Sequence, residues 1–464
     1  MQVQVSLTLE IDASASLSQM EEHIQEAGRQ AMRQAMKQAI RQWEEQRPSC
    51  PHCGAKQRRL EGTVRRTLAT TFGRVEVPRR RFRCQQCGRR WCPATQLFAP
   101  LAGGTISAPL QEAALVAGCS WPYRVAARQL QRLCGAQISA EEIRLLANRH
   151  GKLRAQGQQA EAEQACSRAA ATSPGSQGAE QTGSPPASSS LAAQDAEPPL
   201  LVGIDGGWVG SRDQRGGMEG KVAVVSSRME NLPMPKVDPT FSWSKRDGRR
   251  RPPRQRHRLA TRRYVATFGP AKQLGSLAKA AAQALESDAA RPVVVIGDGA
   301  QWIKTEQGRH FPQATCILDW AHLWREVRHA ILVAARAKGL SAQARDYQLW
   351  WHRTYLWQGH VEQALEGLRR LATDLPAEAL KPVQEAIRYL ENQRPWIGSY
   401  ERWKAQGYPV GSGLIERAVA LVINRRMKKR GMRWCRPNAT AIVALRTDLL
   451  NDDWDTPQQL RSYP

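Results

Sequence analysis

No apolar run in this 464-residue sequence approaches the roughly 18 residues needed to cross a bilayer, which excludes a membrane-spanning helix. The N-terminal MQVQVSLTLEID also lacks the basic start and apolar core of a secretory signal, so a soluble, cytoplasmic protein with no membrane partner is expected. Cysteine is sparse. Ten residues cannot staple a chain of this length, and a reducing cytosol opposes disulfides, so clustered cysteines are read as metal ligands. Acidic residues are the other scarcity: 42 Asp plus Glu stand against 68 Lys plus Arg, a net charge of +26. That excess points to a polyanionic partner, nucleic acid first, and to association with the nucleoid. Hydrophobic residues make up 41%, which excludes disorder throughout, and the length predicts about three folded units at roughly 150 residues each.

Patterning divides the chain further. Residues 1–47 read as an alternating strand followed by an amphipathic helix carrying Met20, Ile24, Met32, Met36 and Ile40. Two Cys-x-x-Cys pairs bracket a hairpin-like stretch with a Phe72-Gly73 turn in 48–100. Residues 101–154 are helical, with Cys134-Gly135 as a turn and Ser139 and Glu142 at capping-box spacing. Ala, Gln, Ser, Gly and Pro dominate 155–199, read as a disordered linker. Strand and helix patterns alternate over 200–320, a Trp-rich helical stretch covers 321–408, a glycine-led helix begins 409–450, and 451–464 is a tail.

Cys50, Cys53, Cys84 and Cys87 form two knuckles, PHCG and QQCG, separated by 30 residues. Four soft thiolates select a structural Zn2+ ion, since a closed tetrahedral site leaves no position for water. His52 and Cys92 are bystanders. Arginines crowd the same module, as a DNA contact or as a solvated ribbon; the helical region after it reads as helix-turn-helix or as a plain helical hairpin. The run Lys245–Arg263 holds ten basic residues and one acid between two strand-like segments, so it is expected as a phosphate-binding loop that includes Arg249, Arg250, Arg251 and Arg254.

The chemistry concentrates in three acids. Asp205 ends the run LLVGID and Asp298 ends VVVIGD; on parallel neighbouring strands both emerge at the carboxyl edge of the sheet. The glycines that follow each acid are expected to admit a nucleic-acid phosphate close to the backbone. Glu416 lies in the first turn of GSGLIERAVALVINRRMKKR, with Arg425, Arg426, Lys428, Lys429 and Arg430 downstream as DNA contacts. Carboxylates about 4 Å apart repel by about 4 kcal/mol at an effective dielectric of 20, so such a group needs protons or cations. Hard oxygens select two Mg2+ or Mn2+ ions held by Asp205, Asp298 and Glu416.

The ordered set of Cys pairs, IDGGWV, GDGAQWI, ILDWAHLW, GSGLIE and RRMKKRGMRW resembles the DDE transposases of bacterial insertion sequences, most closely the Kra-type family related to the Mutator superfamily. The resemblance covers nearly the whole chain. It implies a multidomain α/β protein: an RNase H-like catalytic domain, a mixed five-stranded sheet of order 3-2-1-4-5 with flanking helices, interrupted by an all-α insertion. A zinc-ribbon module and a helical DNA-binding region precede it. It also implies that Asp205, Asp298 and Glu416 are the catalytic acids, with Asp319 and His322 as an accessory pair.

The activity so implied is DNA transposition by two-metal-ion phosphoryl transfer: hydrolysis at the element ends, then attack of the freed 3′-hydroxyl on target DNA. The partners are double-stranded DNA, as terminal repeats and target, and a second copy of the chain in a dimer or higher oligomer. An RNase H-like nuclease that cuts without joining, and a non-catalytic zinc-containing regulator, are the competing readings.

Overall fold

The computed structural model describes residues 2–101, 104–172, 198–232, 256–285, 291–429 and 431–454. The chain divides into two compact units, Met1–Gly151 with Asp452–Pro464, and Lys152–Asn451.

The first unit opens without the expected strand: residues 2–11 form none, because alternation alone provides no partner for the backbone hydrogen bonds. Helix α1 (Leu17–Glu45) starts at Ser16, whose side chain and that of Gln19 cap each other's backbone N–H groups. An antiparallel sheet follows, β1 (Arg58–Thr70), β2 (Gly73–Cys84) and β3 (Arg90–Trp91), in that order. Its hairpin closes at Gly73, where φ is +106°. Leu68, Val75 and Val77 are buried with Ile40 of α1 and Phe98 of α2 (Thr95–Phe98). Each buried valine contributes about 1.5–3 kcal/mol. Glu44 of α1 is 1% exposed, and its carboxylate accepts hydrogen bonds from the Arg80 backbone N–H at 3.1 Å and from Arg80 Nε at 3.0 Å. Removing the Arg80 side chain costs about 3–5 kcal/mol, because the Glu44 charge stays buried.

Three helices come next: α3 (Ala108–Ser120), α4 (Tyr123–Cys134) and α5 (Ala140–Thr172). Gly135 at φ +72° ends α4, and Ser139 and Glu142 exchange hydrogen bonds of 2.8 and 3.1 Å at the start of α5, as the sequence suggests. The linker expected from residue 155 is helical through Thr172; residues 173–197 lie outside those described. Its Ala- and Gln-rich composition suits a helix as well as a loop. In the second unit Gln158 donates to Asp448 at 2.7 Å and Arg154 Nε does so at 2.6 Å, while Ala162 is buried.

The second unit is built on a mixed five-stranded sheet ordered β6-β5-β4-β7-β8. The strands are β4 (Leu200–Gly210), β5 (Gly217–Leu232), β6 (Arg256–Thr267), β7 (Val293–Gly297) and β8 (Thr315–Leu318). In chain order this is third, second, first, fourth, fifth, the order that the family resemblance implies. β4 is central, antiparallel to β5 and parallel to β7. The expected loop Lys245–Arg263 is strand from Arg256 onward, paired along β5; its earlier part lies outside the described residues. The stretch LATRRYVAT supplies Thr, Tyr and Val side chains that fit a pleated surface, and they outweigh its charge.

Helices α6 (Ala271–Gln283) and α7 (Gln301–His310) accompany the strands. The helical insertion holds α8 (Trp320–Ala337), α9 (Ala342–Gln358), α10 (Val361–Ala372), α11 (Ala377–Gln393) and α12 (Tyr400–Ala405). Its aromatic residues mostly pack: the Trp320 ring lies 4.8 Å from Trp357 and 4.9 Å from Tyr400, whose hydroxyl donates to the Leu318 carbonyl at 2.9 Å. The insertion is thereby fastened to the end of β8. The chain then enters α13 (Gly413–Val419), a π-helical turn (Ala420–Asn424), α14 (Arg425–Met427) and α15 (Arg436–Leu450). No helix among the described residues is long and apolar enough to cross a membrane.

Candidate functional site

The parallel ladder between β4 and β7 closes at the pair Gly203–Ile296. Asp205 and Asp298 each lie two residues beyond it, so they stand at the same level of two neighbouring strands. Asp205 does not end its strand as expected. β4 continues to Gly210 because β5 goes on pairing with it, Asp205 opposite Val222 and Gly210 opposite Gly217. Asp298 does follow the last residue of β7, and its Oδ1 accepts the Ala300 N–H at 2.9 Å in the turn that leads to α7.

The sheet glycines have a different use from the one expected. A Cβ at Gly203 would meet Ile415 at 3.2 Å, one at Gly207 would meet Val419 at 2.8 Å, and one at Gly220 would meet Ile423 at 2.7 Å. These three apolar side chains, four residues apart in turn, lie on α13 and the π-helical turn. The bare glycine strip is therefore filled by protein, and it lets this helix pack directly on the sheet with Glu416 one residue after Ile415. Gly206 likewise faces Glu219, and Gly299, at φ +80°, faces Gln393. The π-helical turn shifts carbonyls out of the ordinary helical pattern. Arg446 of α15 serves two of them, donating from Nε to Val422 O at 2.8 Å and from its second terminal nitrogen to Leu421 O.

Asp319 caps α8 and is fully buried. Its oxygens accept hydrogen bonds from the Ala321 and His322 N–H groups at 3.2 and 3.1 Å, from His322 Nδ1, and from the Ser412 N–H at 2.8 Å. Ser412 in turn donates its hydroxyl to Glu416 Oε1 at 2.6 Å. Asp319 thus holds the segment that carries the third acid, and both of its oxygens are engaged within the protein.

Electrostatics join the group. Burial pushes the Asp205 carboxyl up to about 6, with Asp298 and Glu416 adding to the rise and His322 opposing it. The hydrogen bond that His322 donates to Asp319 holds the histidine above its ordinary value, and Asp298 contributes in the same direction. Burial alone would raise Asp319; the bonds from His322, Ser412 and Ala321 outweigh it and keep the carboxyl below its usual range. Tyr389 of α11 is raised by burial and by the negative charges of Glu326, Asp298 and Asp319. Gln393, one helical turn beyond Tyr389, donates to the Gly299 carbonyl at 2.9 Å and fixes the turn that carries Asp298.

The four cysteines come together as expected. Among the described residues they are the one group of three or more metal-ligating side chains placed to hold an ion, with ligand atoms all within 4.8 Å of one another; Asp205, Asp298 and Glu416 do not form such a group. The Sγ atoms of Cys50 and Cys87 are 3.7 Å apart, and those of Cys53 and Cys84 are 3.5 Å apart. A tetrahedron with Zn–S bonds of about 2.3 Å has edges of about 3.8 Å, so the cluster can hold a zinc ion. Gly54 and Gly88 adopt φ of +75° and +70° to turn each knuckle, and the N–H of Cys87 helps to draw the Cys84 thiol down to about 7.

The downstream basic run divides. Arg425, Lys428 and Lys429 are exposed, but Arg426 is 1% exposed with its guanidinium 5.0 Å from the centre of the Trp434 ring, so it is a packing residue and not a surface contact for DNA. Helical geometry turns one member of the run inward beside Met427. Arg430, Arg249, Arg250, Arg251 and Arg254 lie outside the described residues. Gln393, Tyr389 and Ser412 escaped the sequence reading. Ser412 was legible from its four-residue spacing to Glu416, whereas Gln393 lies 94 residues from its partner and carries no local signal.

No curated protein matches the chain. Residues 246–452 match the model of an uncharacterised protein family, UPF0236, a stretch that takes in Asp298, Asp319, His322 and Glu416 and begins after Asp205 and the four cysteines.

Proposed function

We propose that the chain is a DDE-type DNA transposase of an insertion sequence, with an RNase H-like core in the second unit and a zinc ribbon in the first. The observation that carries this reading is the level placement of Asp205 and Asp298 at the parallel edge of the sheet, together with the field of Glu416 felt at Asp205. Open α/β sheets concentrate their chemistry at such an edge. A carboxyl lifted to about 6 by burial and neighbouring acids is a group that divalent cations would stabilise in its charged form.

Asp205, Asp298 and Glu416 would hold two Mg2+ or Mn2+ ions, which supply Lewis acidity toward the attacking and leaving oxygens when bound. The protein's own part is to orient and to balance charge. Gln393 fixes the Asp298 turn, Ser412 and Asp319 fix Glu416, and protonated His322 offsets the excess negative charge beside Asp205. Exposed Arg425, Lys428 and Lys429 would meet the DNA backbone close to Glu416. Double-stranded element ends and target DNA are the substrates, and bringing two ends together calls for at least a dimer.

The test is magnesium-dependent cleavage of the flanking terminal repeats by the full chain, followed by joining of the freed 3′-hydroxyl to target DNA. Glu416→Gln should abolish both while end binding persists. Nicked ends without joined product would favour a nuclease, and undiminished activity in Glu416→Gln would overturn the metal-site reading.

A further inference from the structure

The sheet of the first unit carries a row of arginines that the fold leaves largely unneutralised. Arg59 of β1 is paired directly with Arg83 of β2, and Arg83 is paired directly with Arg90 of β3. Directly paired residues project from the same face, so the three guanidinium groups stand abreast across all three strands. Arg81, two residues before Arg83, shares that face. All four are exposed, the Arg83 and Arg90 side chains by 54% and 61%. A single carboxylate serves them: Glu61 lies 2.7 Å from Arg90 and 3.8 Å from Arg83. Arg59 and Arg81 have no hydrogen bond or ion pair within the described residues.

Other arginines of the same hairpin are committed. Arg58 lies over the Phe82 ring at 4.0 Å, Arg66 over Phe98 at 4.8 Å, and Arg80 is bound to buried Glu44. Like charges directly opposite in a sheet are destabilising, and here two such pairs occur in succession. A row with this cost, and with one carboxylate for four guanidinium groups, has the chemistry of a surface that meets an anion.

We propose that this face, Arg59, Arg81, Arg83 and Arg90, is the surface by which the cysteine-cluster module grips the phosphates of duplex DNA. The proposal rests on the reading of the chain as a DNA-acting protein and extends it to a surface which that reading does not assign. The row spans about 10 Å at the usual strand spacing, within the major-groove width of about 12 Å, so its two ends can address phosphates of facing strands. Guanidinium forks match phosphate oxygens bidentately. Gly62, paired with Arg81, adds no apolar bulk to this face, which a membrane surface would need.

The experiment compares the zinc-loaded full chain with Arg59→Gln/Arg83→Gln/Arg90→Gln in binding a short random-sequence duplex between about 50 and 200 mM salt. Loss of three phosphate contacts should flatten the slope of log affinity against log salt by about 2.7, and Arg81→Gln alone by about 0.9. The melting temperature should change little, because relief of the opposed like charges offsets loss of the Glu61 ion pairs; that readout separates lost contacts from lost folding. Wild-type slope and affinity in a folded triple variant would overturn this surface while leaving the catalytic reading intact. Flattened slopes in a protein that cleaves no DNA would sustain the surface and remove the transposase. A wild-type chain that binds no duplex at any salt would overturn both.

Discussion

The Asp319 carboxylate accepts the Ser412 N–H at 2.8 Å, and through that one bond a buried acid outside the proposed metal-binding trio helps to set where Glu416 stands. The pair spans 93 residues of sequence and joins the end of β8 to the start of α13. Glu416 itself is exposed, so its position depends on this anchor and on the packing of Ile415, Val419 and Ile423 over the sheet glycines.

Asp319→Ala should therefore cost about 2–4 kcal/mol, since buried donors lose their acceptor. Asp319→Asn should keep an acceptor for Ser412 but drop the charge beside His322, returning that histidine toward the ordinary value near 6.5. The raised folded value means that the His322–Asp319 pair contributes fully below about pH 6.5 and is lost as pH rises through the folded pKa. Histidine NMR titration of the wild type and Asp319→Asn checks the shift; an unmoved His322 would contradict the coupling.

Asp205 gives the opposite kind of pH signature from a salt-bridged acid. Its folded pKa of about 6 exceeds the unfolded value of about 3.9, so the folded chain binds the extra proton between them. Its contribution to stability consequently falls as pH rises from about 4 to about 6. Asp205→Asn should stabilise the metal-free protein by about 1–3 kcal/mol at pH 7 and by little at pH 4, measured by denaturant unfolding. Equal effects at both pH values would remove the cause assigned here.

Gln393→Glu retains the shape of the side chain but cannot donate to the Gly299 carbonyl. Cleavage should fall about tenfold or more, the loss that follows when a positioning hydrogen bond is removed from an acid-bearing turn. The magnesium concentration for half-maximal rate should rise with it, a change that a purely structural defect would not produce. Unchanged magnesium dependence would mean that the clamp does not act on Asp298.

Much of this arrangement was legible in the residues, and the exceptions have physical causes. The runs LLVGID and VVVIGD announce buried parallel strands, and the resemblance carries their order. The end of β4 was not legible, because Asp205 sits inside a strand that is prolonged only by its antiparallel neighbour. Composition misled over residues 155–172, where Ala and Gln form helix as readily as linker. A charge run hid the inward turn of Arg426, and the glycines beside the acids gave no sign that protein, rather than ligand, approaches them.

The cysteine cluster makes its own prediction. Chelation, or Cys84→Ser, should unfold the β1–β3 hairpin end and lower the helical and sheet signal of the first unit, with full recovery on adding Zn2+ to the chelated wild type. Retention of one bound zinc per chain in Cys84→Ser, measured by atomic absorption, would contradict the four-thiolate site.

In the proposed function Asp205, Asp298 and Glu416 act as one divalent site. Calorimetric titration of the zinc-loaded chain with Mn2+ near pH 7 tests it directly. Binding should weaken at least tenfold in each of Asp205→Asn, Asp298→Asn and Glu416→Gln; wild-type Mn2+ affinity in Glu416→Gln would contradict it.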